Sequence, residues 1–130
     1  LTEMSADVKI HDPYVDHWYE LEEQETYPAP GHSWKRYFRN QEHLNESVVE
    51  KDLPKILQGA EALILAVPHK QYLHLDPDEI VSWAGAPLAI IDAFGILSDQ
   101  QIRRYFELGC EVKALGRGHL ARIKQEVRKK

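Results

Sequence analysis

The sequence predicts an α/β fold in which parallel strands alternate with helices. Three short apolar runs carry this prediction, and each ends in a polar or turn-forming cluster. The runs cover residues 8–15 (VKIHDPYV), 62–69 (ALILAVPH) and 88–95 (LAIIDAFG). Apolar runs of this length, separated by helical patterns, are typical of buried strands in parallel sheets.

Polar residues follow each of the three predicted strands. The clusters are Asp12-Pro13 after the first strand, Pro68-His69 after the second, and residues 92–95 after the third. Ligands bind outside the carboxyl ends of the strands in open parallel sheets. We therefore expect the three clusters to line one crevice.

Length and composition are those of one ordinary domain. The chain has 130 residues, which is enough to bury a core. Its apolar runs are shorter than a membrane span, and no basic-then-apolar leader suggests export. The single cysteine, Cys110, excludes an internal disulfide and fits a reducing compartment. We expect a cytoplasmic protein with no membrane partner.

The net charge of −5 is unevenly distributed along the chain. Residues 116–130 carry six basic side chains against one acid, Glu126, which leaves the rest of the chain at about −10. Such an acidic body argues against nucleic-acid binding, which requires a basic face. The basic terminal tail over 116–130 either forms a solvated helix or contacts an anion, and we favour the helix.

Residues 16–50 form an irregular segment rich in aromatic side chains. A clear helical or strand periodicity is missing here, while the aromatic content is too high for a disordered chain. The large aromatic residues of this stretch are Trp18, Tyr19, Tyr27, Trp34, Tyr37 and Phe38. We interpret the segment as an insertion that packs on its own domain, and contact with a partner surface is the alternative.

Capping signals place helices between the remaining strands. Asp76 followed by Pro77 is a helix start, because aspartate caps the first turn and proline is accepted at its first position. Ser98 repeats the capping pattern. We predict helices over 52–58, 76–85 and 98–109, a last strand over 111–115, and a terminal helix after 118. This alternation implies right-handed crossovers in a layered α/β sheet.

Several common site signatures are missing from the sequence. It has no glycine-rich phosphate loop and no cysteine and histidine spacing of a zinc site, so we predict no metal site. Cys110 lies between Gly109, which ends a predicted helix, and a predicted strand. A buried, unreactive thiol is the expected state at such a position.

Three polar residues at the strand ends each have two candidate roles. Asp12 and Asp92 either accept a hydrogen bond from a ligand hydroxyl or cap the turn that follows. His69 either donates to a phosphate or begins the next helix, and we favour the helix start. The sequence leaves the choice open for both aspartates.

Four segments, in order, resemble the motifs of one known domain. Residues 8–15 resemble a strand with the pattern V-x-x-(Y/H)-D-P-(Y/K)-V, and residues 59–69 (GAEALILAVPH) resemble G-A-D-A-(L/I)-(V/I)-(L/I)-x-x-x-H. Residues 90–97 (IIDAFGIL) resemble (V/I)-(I/F)-D-x-(R/F)-(N/G)-(V/I)-(L/F), and residues 112–118 (VKALGRG) resemble a closing strand with a G-(R/K)-G end. These are motifs of the carboxyl-terminal domain of the UDP-glucose/GDP-mannose dehydrogenase family.

This resemblance implies a Rossmann-like, three-layer parallel sheet with flanking helices that lacks the first strand-helix unit of the domain. Enzymes of the family bind NAD through an amino-terminal domain and oxidise the C6 alcohol of a nucleotide sugar to a carboxylate. The chain, over 1–130, is then a partial UDP-binding domain of such an enzyme. Its implied partners are a UDP-sugar and the remaining domains of the parent. The branch acting on UDP-N-acetylhexosamines, such as UDP-N-acetylmannosamine, is the most similar.

The resemblance also marks departures from the family pattern. The chain begins after a family loop that carries a lysine and an arginine of the site, and Phe94 stands where the family motif D-x-R-N has arginine. The residues that carry over as substrate-binding, none of them catalytic, are Asp12, His69, Asp92, Phe94, Gly95 and Arg117. We expect weak UDP binding, no oxidation by the chain alone, and homo-oligomers formed through unpaired strand edges. A stand-alone α/β protein-interaction or regulatory domain is the alternative.

Overall fold

Parallel strands occur in both units of the chain. The structure, a computed structural model, describes residues 4–14 and 49–130. The chain divides into two compact units, Leu1–Ile56 and Leu57–Lys130. Parallel strands accompanied by helices confirm the Rossmann-like α/β class.

The first unit contains a pair of short parallel strands. β1 (Ile10–His11) pairs with β2 (Val49–Glu50), and α1 (Leu53–Leu57) follows. The sequence prediction treats 16–50 as irregular and therefore does not include β2. A strand of two residues is too short to show a strand periodicity. The predicted packing of the aromatic insertion lies outside the described residues.

The second unit is built on a three-stranded parallel sheet. Its strands are β3 (Ala62–Leu65), β4 (Ala89–Asp92) and β5 (Glu111–Ala114), in the order β3-β4-β5. In their register Ile64 lies opposite Ile91, and Ile91 opposite Lys113. All three strands occur where the sequence predicts them. β3 and β4 end four and three residues before their apolar runs end, and β5 ends one residue before the predicted strand over 111–115.

Local capping groups fix the helices of the second unit. A short 3₁₀ helix (Lys70–Tyr72) precedes α2 (Pro77–Ala84), and α3 (Asp99–Glu107) and α4 (Leu120–Arg128) follow. The carboxylate of Asp76 accepts a hydrogen bond from the N–H of Asp78 at 2.9 Å. Ser98 and Gln101 form a capping box at the start of α3. The helix predictions are confirmed.

The sheet of the second unit is buried on one face. Sequential strand order with right-handed crossovers places α2 and α3 on the same side of the sheet. The core on that side includes the fully buried side chains of Ile80, Ile90 and Ile102. Ile64 and Ile91 lie on the other face and are exposed. Helices α2 and α3 therefore form a layer on the buried face of this sheet.

Residues of the basic terminal tail form α4 and several ion pairs. Ile123 of this helix is buried. Lys124 Nζ lies 2.6 Å from Oε1 of Glu111, and Arg103 Nη2 of α3 lies 2.6 Å from Oε2 of Glu126. Exposed pairs of this kind contribute little to stability. The tail is thus part of the folded unit, with an apolar side chain in the core.

Candidate functional site at the carboxyl edge of the sheet

The three parallel strands of the second unit end at one edge of the sheet. Leu65, Asp92 and Ala114 lie opposite one another there. The chain leaves the strands as loop A (residues 66–69), loop B (residues 93–98) and loop C (residues 115–119). Ligands of open parallel sheets bind at this edge. Five of the six predicted site residues lie at it: His69, Asp92, Phe94, Gly95 and Arg117.

Loop B is built around the carboxylate of Asp92. This residue is fully buried, and its Oδ1 accepts from the N–H groups of Phe94 at 3.2 Å and Ile96 at 3.1 Å. Its Oδ2 accepts from the N–H of Leu97 at 3.0 Å. Asp92 therefore caps the loop, which is one of its two predicted roles. Because the residue is fully buried, its carboxylate stabilises loop B through these hydrogen bonds.

Arg117 connects loop C to loop B. Its Nη2 donates to the carbonyl oxygens of Gly95 at 2.9 Å and Leu97 at 2.8 Å. Gly95 has a φ of +66°, a left-handed conformation that glycine adopts without a steric penalty. The guanidinium thus holds the conformation of loop B from the neighbouring loop. The phosphate contact that the resemblance implies for Arg117 stays a prediction.

Asp99 forms a small charged cluster with residues of loop C. Its Oδ1 lies 2.8 Å from Nε2 of His119 and 3.1 Å from Nη1 of Arg117. The hydrogen bond with His119, together with the positive charges of Arg117 and Arg122, lowers the pKa of the Asp99 carboxyl. No sequence motif marks this cluster, because Arg117 and His119 are 18 and 20 residues from Asp99.

The start of α3 is poorly suited to bind a phosphate. Helix starts attract anions through their unpaired N–H groups and the helix dipole. Here Asp99 is the first residue of α3 and already supplies a negative charge. The capping box of Ser98 and Gln101 also engages N–H groups at this end. An anionic ligand would therefore gain little from this helix.

Each of the three loops exposes one large apolar side chain. Val67 of loop A is 36% exposed, Phe94 of loop B 57%, and Leu115 of loop C 73%. His69 precedes the 3₁₀ helix without a side-chain cap, and its ring centroid lies 5.6 Å from that of Tyr72. The edge thus combines apolar surface with hydrogen-bonded loops, an arrangement that suits a ligand with a flat ring.

Comparison with known protein families identifies the domain. The model of the UDP-glucose/GDP-mannose dehydrogenase family, UDP binding domain, matches residues 1–99. The chain belongs to this family. No curated protein and no solved structure matches it.

The match to the UDP-binding domain includes loops A and B. Five of the six site residues predicted from sequence lie within the matched residues: Asp12, His69, Asp92, Phe94 and Gly95. Loop C, with the sixth site residue, lies after residue 99 and outside the match. The branch within the dehydrogenase family stays a prediction.

Asp12, the remaining predicted site residue, lies in the first unit. Its Oδ1 accepts from the N–H of Tyr14 at 2.7 Å, so it caps the turn after β1. Its presence in the same crevice as loops A and B stays a prediction.

The first unit also contains an open cavity of about 320 Å³ that the sequence does not predict. Lys55 Nζ lies 3.2 Å from Oε2 of Glu50 at this cavity. The backbone N–H of Asp52, followed by Lys55, lowers the pKa of the Glu50 carboxyl. No motif marks the site, because it depends on the unpredicted strand β2. The lining residues are Val8, Lys9, Ile10, Glu50, Lys55 and Ile56.

Cys110 has the environment of a structural residue. It is buried, and this burial raises the pKa of its thiol. A protonated, buried thiol is a poor nucleophile, which agrees with the interpretation from sequence. Within residues 4–14 and 49–130, no group of three or more side chains could hold a metal ion. No helix in these ranges is long and apolar enough to cross a membrane.

Proposed function

We propose that this chain binds the UDP part of a nucleotide sugar for an NAD-dependent nucleotide-sugar dehydrogenase. The match of residues 1–99 to the UDP-binding domain of the family carries the proposal. The position of loops A and B at the carboxyl edge of a parallel sheet supports it. In the parent enzyme, the C6 alcohol of the sugar is oxidised to a carboxylate, and NAD is bound by a different domain.

The chain alone is proposed to transfer no hydride. Its sequence has no glycine-rich dinucleotide loop, and its single cysteine is buried with a raised thiol pKa. The role of this chain is then to hold the substrate, while the remaining domains of the parent supply NAD and the catalytic groups. Formation of NADH from a UDP-sugar and NAD by the isolated chain would contradict this division.

We expect the chain alone to bind UDP more weakly than micromolar. Diphosphates are bound best by cationic side chains and free N–H groups. The guanidinium of Arg117 is already engaged by Asp99 and two carbonyl oxygens. The first turns of α2 and α3 carry Asp78, Glu79 and Asp99, whose charges oppose an anion.

Ligand-observed NMR with UDP tests the proposal. The chain is mixed in parallel with UDP and with NAD, and saturation transfer to the ligand protons is measured. We expect transfer to the uracil protons of UDP and substantially less to NAD. The absence of transfer to UDP, or equal transfer to both ligands, would refute the proposed function.

A variant of loop C makes the test specific to this edge. Arg117→Gln removes the contacts to Gly95 and Leu97 and is expected to weaken UDP binding. Arg103→Gln is the matched control, because Arg103 pairs with Glu126 between α3 and α4, whereas the hydrogen bonds of Arg117 go to loop B. Equal affinities of the two variants for UDP would show that UDP binding does not depend on the conformation of loop B.

The finer substrate assignment is also a proposal. The segments AFGIL (residues 93–97) and GRGH (residues 116–119) support a UDP-N-acetylhexosamine such as UDP-N-acetylmannosamine. The parent enzyme would then supply acidic sugars for polysaccharide biosynthesis in the cytoplasm. Competition for bound UDP by UDP-N-acetylmannosamine and by UDP-glucose, measured in parallel, distinguishes the branches.

A further inference from the structure

One aromatic ring is exposed at the carboxyl edge of the second unit. The Phe, Tyr and Trp residues within 57–130 are Tyr72, Trp83, Phe94, Tyr105 and Phe106. Of these, Phe94 alone is exposed, at 57%. Single exposed apolar residues are common on protein surfaces. Phe94 is a candidate ligand contact because its loop lies at the edge where ligands of parallel sheets bind.

Hydrogen bonds on both sides hold the backbone that carries Phe94. Its own N–H donates to Asp92, which is fully buried. The carbonyl of the next residue, Gly95, accepts from Arg117. The N–H and the carbonyl of Leu97 are bound by the same two side chains. A ring on such a fixed loop loses little conformational entropy when a ligand binds.

Apolar side chains flank this ring from the neighbouring loops. β4 lies between β3 and β5, so loop B lies between loops A and C. Loop A exposes Val67 and loop C exposes Leu115. The charged cluster around Asp99 has its carboxylate paired with Arg117 and His119. The surroundings of Phe94 therefore favour a flat, weakly polar group over a phosphate.

We propose that the ring of Phe94 stacks on the uracil base of UDP. This inference rests on the proposed UDP-binding function and specifies which part of the nucleotide loop B contacts. Aromatic side chains bind bases in this way because every base has a flat π face. The contact contributes affinity for the base and none for the phosphates.

Substitution of the ring tests the stacking contact. Phe94→Leu keeps an apolar side chain but removes the aromatic face, while Phe94→Trp retains it. Leu73→Ala is the matched control, because it truncates an exposed apolar side chain of the same unit that lies outside the three loops. Dissociation constants for UDP and for inorganic pyrophosphate are measured by NMR titration of the chain. Because Phe94 is exposed, far-UV circular dichroism should show the same fold for all variants.

The expected results separate base binding from phosphate binding. Phe94→Leu should weaken UDP binding about tenfold, the effect of losing one base–aromatic stack, and leave pyrophosphate binding unchanged. Phe94→Trp and Leu73→Ala should bind UDP like the wild type. Saturation transfer to the uracil protons should decrease in Phe94→Leu.

Three other outcomes would overturn the inference in distinguishable ways. If the wild type binds UDP and Phe94→Leu binds it equally well, stacking is refuted and UDP binding stands. If Phe94→Leu weakens UDP and pyrophosphate equally, the residue acts on the conformation of loop B, and stacking is again refuted. If the wild type does not bind UDP, the proposed function fails, and the stacking contact fails with it.

Discussion

Replacing Asp92 with asparagine is expected to destabilise the second unit with almost no change in side-chain volume. The amide oxygen of Asp92→Asn can still accept from the N–H groups of Phe94 and Ile96. The amide nitrogen then replaces Oδ2 and faces the N–H of Leu97, which lies 3.0 Å from that oxygen in the wild type. Two donors thus meet in a buried position without an acceptor. Rotating the amide instead leaves two N–H groups facing the nitrogen.

The expected loss in the free energy of unfolding is about 3 kcal/mol. An unsatisfied buried donor costs about 1–3 kcal/mol, and a hydrogen bond to a charged group contributes about 1.5–3 kcal/mol. The variant loses one such bond, and two others become bonds to a neutral oxygen. Relaxation of loop B offsets part of the total. The loss is large beside the stability of about 5–15 kcal/mol that is typical of a domain.

Urea denaturation followed by far-UV circular dichroism measures this loss. Asp99→Asn is the matched control, because its carboxylate is exposed and its partners keep access to water. We expect a clear decrease in the urea midpoint for Asp92→Asn and a small one for Asp99→Asn. Hydrogen exchange of the Leu97 amide should accelerate in Asp92→Asn alone. Equal midpoints for Asp92→Asn and wild type, with an unchanged Leu97 amide, would refute the capping role of Asp92.

Three further predictions concern the thiol, an ion pair and self-association. Iodoacetamide should label Cys110 slowly in the folded chain and rapidly in urea, because burial raises its pKa and blocks access; rapid labelling in native buffer would contradict this. Arg104 lowers the pKa of the Asp78 carboxyl below its ordinary value of 3.8. The ion pair therefore stabilises the fold above pH 3.8, and this stabilisation is lost as the pH falls through the lowered pKa. Differences in thermal midpoint between wild type and Asp78→Asn should therefore be present at neutral pH and vanish well below pH 3.8. Light scattering should give a mass above the 15.1 kDa monomer, and Ile64→Lys on edge strand β3 should reduce it; a monomer mass for the wild type at every concentration would rule self-association out.

Helix starts were the most predictable parts of this fold because their signals are local. Asp76 caps α2 through an N–H two residues away, and Ser98 caps α3 through an N–H three residues away. Such contacts can be identified without knowledge of the tertiary structure. Strands β3 and β4 were predictable for a related reason, since each lies within a short apolar run that is visible in the sequence alone.

The contacts that organise the site could not be predicted from sequence. Arg117 reaches Gly95 across 22 residues, and no spacing rule connects them. The choice of Asp92 between cap and ligand contact was equally open, because it depends on complete burial of the carboxylate. Strand β2 was missed because its pairing with β1 is a long-range contact with only two residues on each side.

The pairing of charges at the carboxyl edge explains why the base and the phosphates of UDP are expected to depend on different residues. Arg117 holds loop B and pairs with Asp99, so it is poorly placed to neutralise a diphosphate as well. Phe94 is exposed on the loop that this arginine stabilises. If the base stacks there, most cations for the phosphates have to come from outside the three loops. Loss of the ring should then weaken UDP binding without changing pyrophosphate binding, whereas loss of Arg117 should weaken UDP binding through the conformation of loop B.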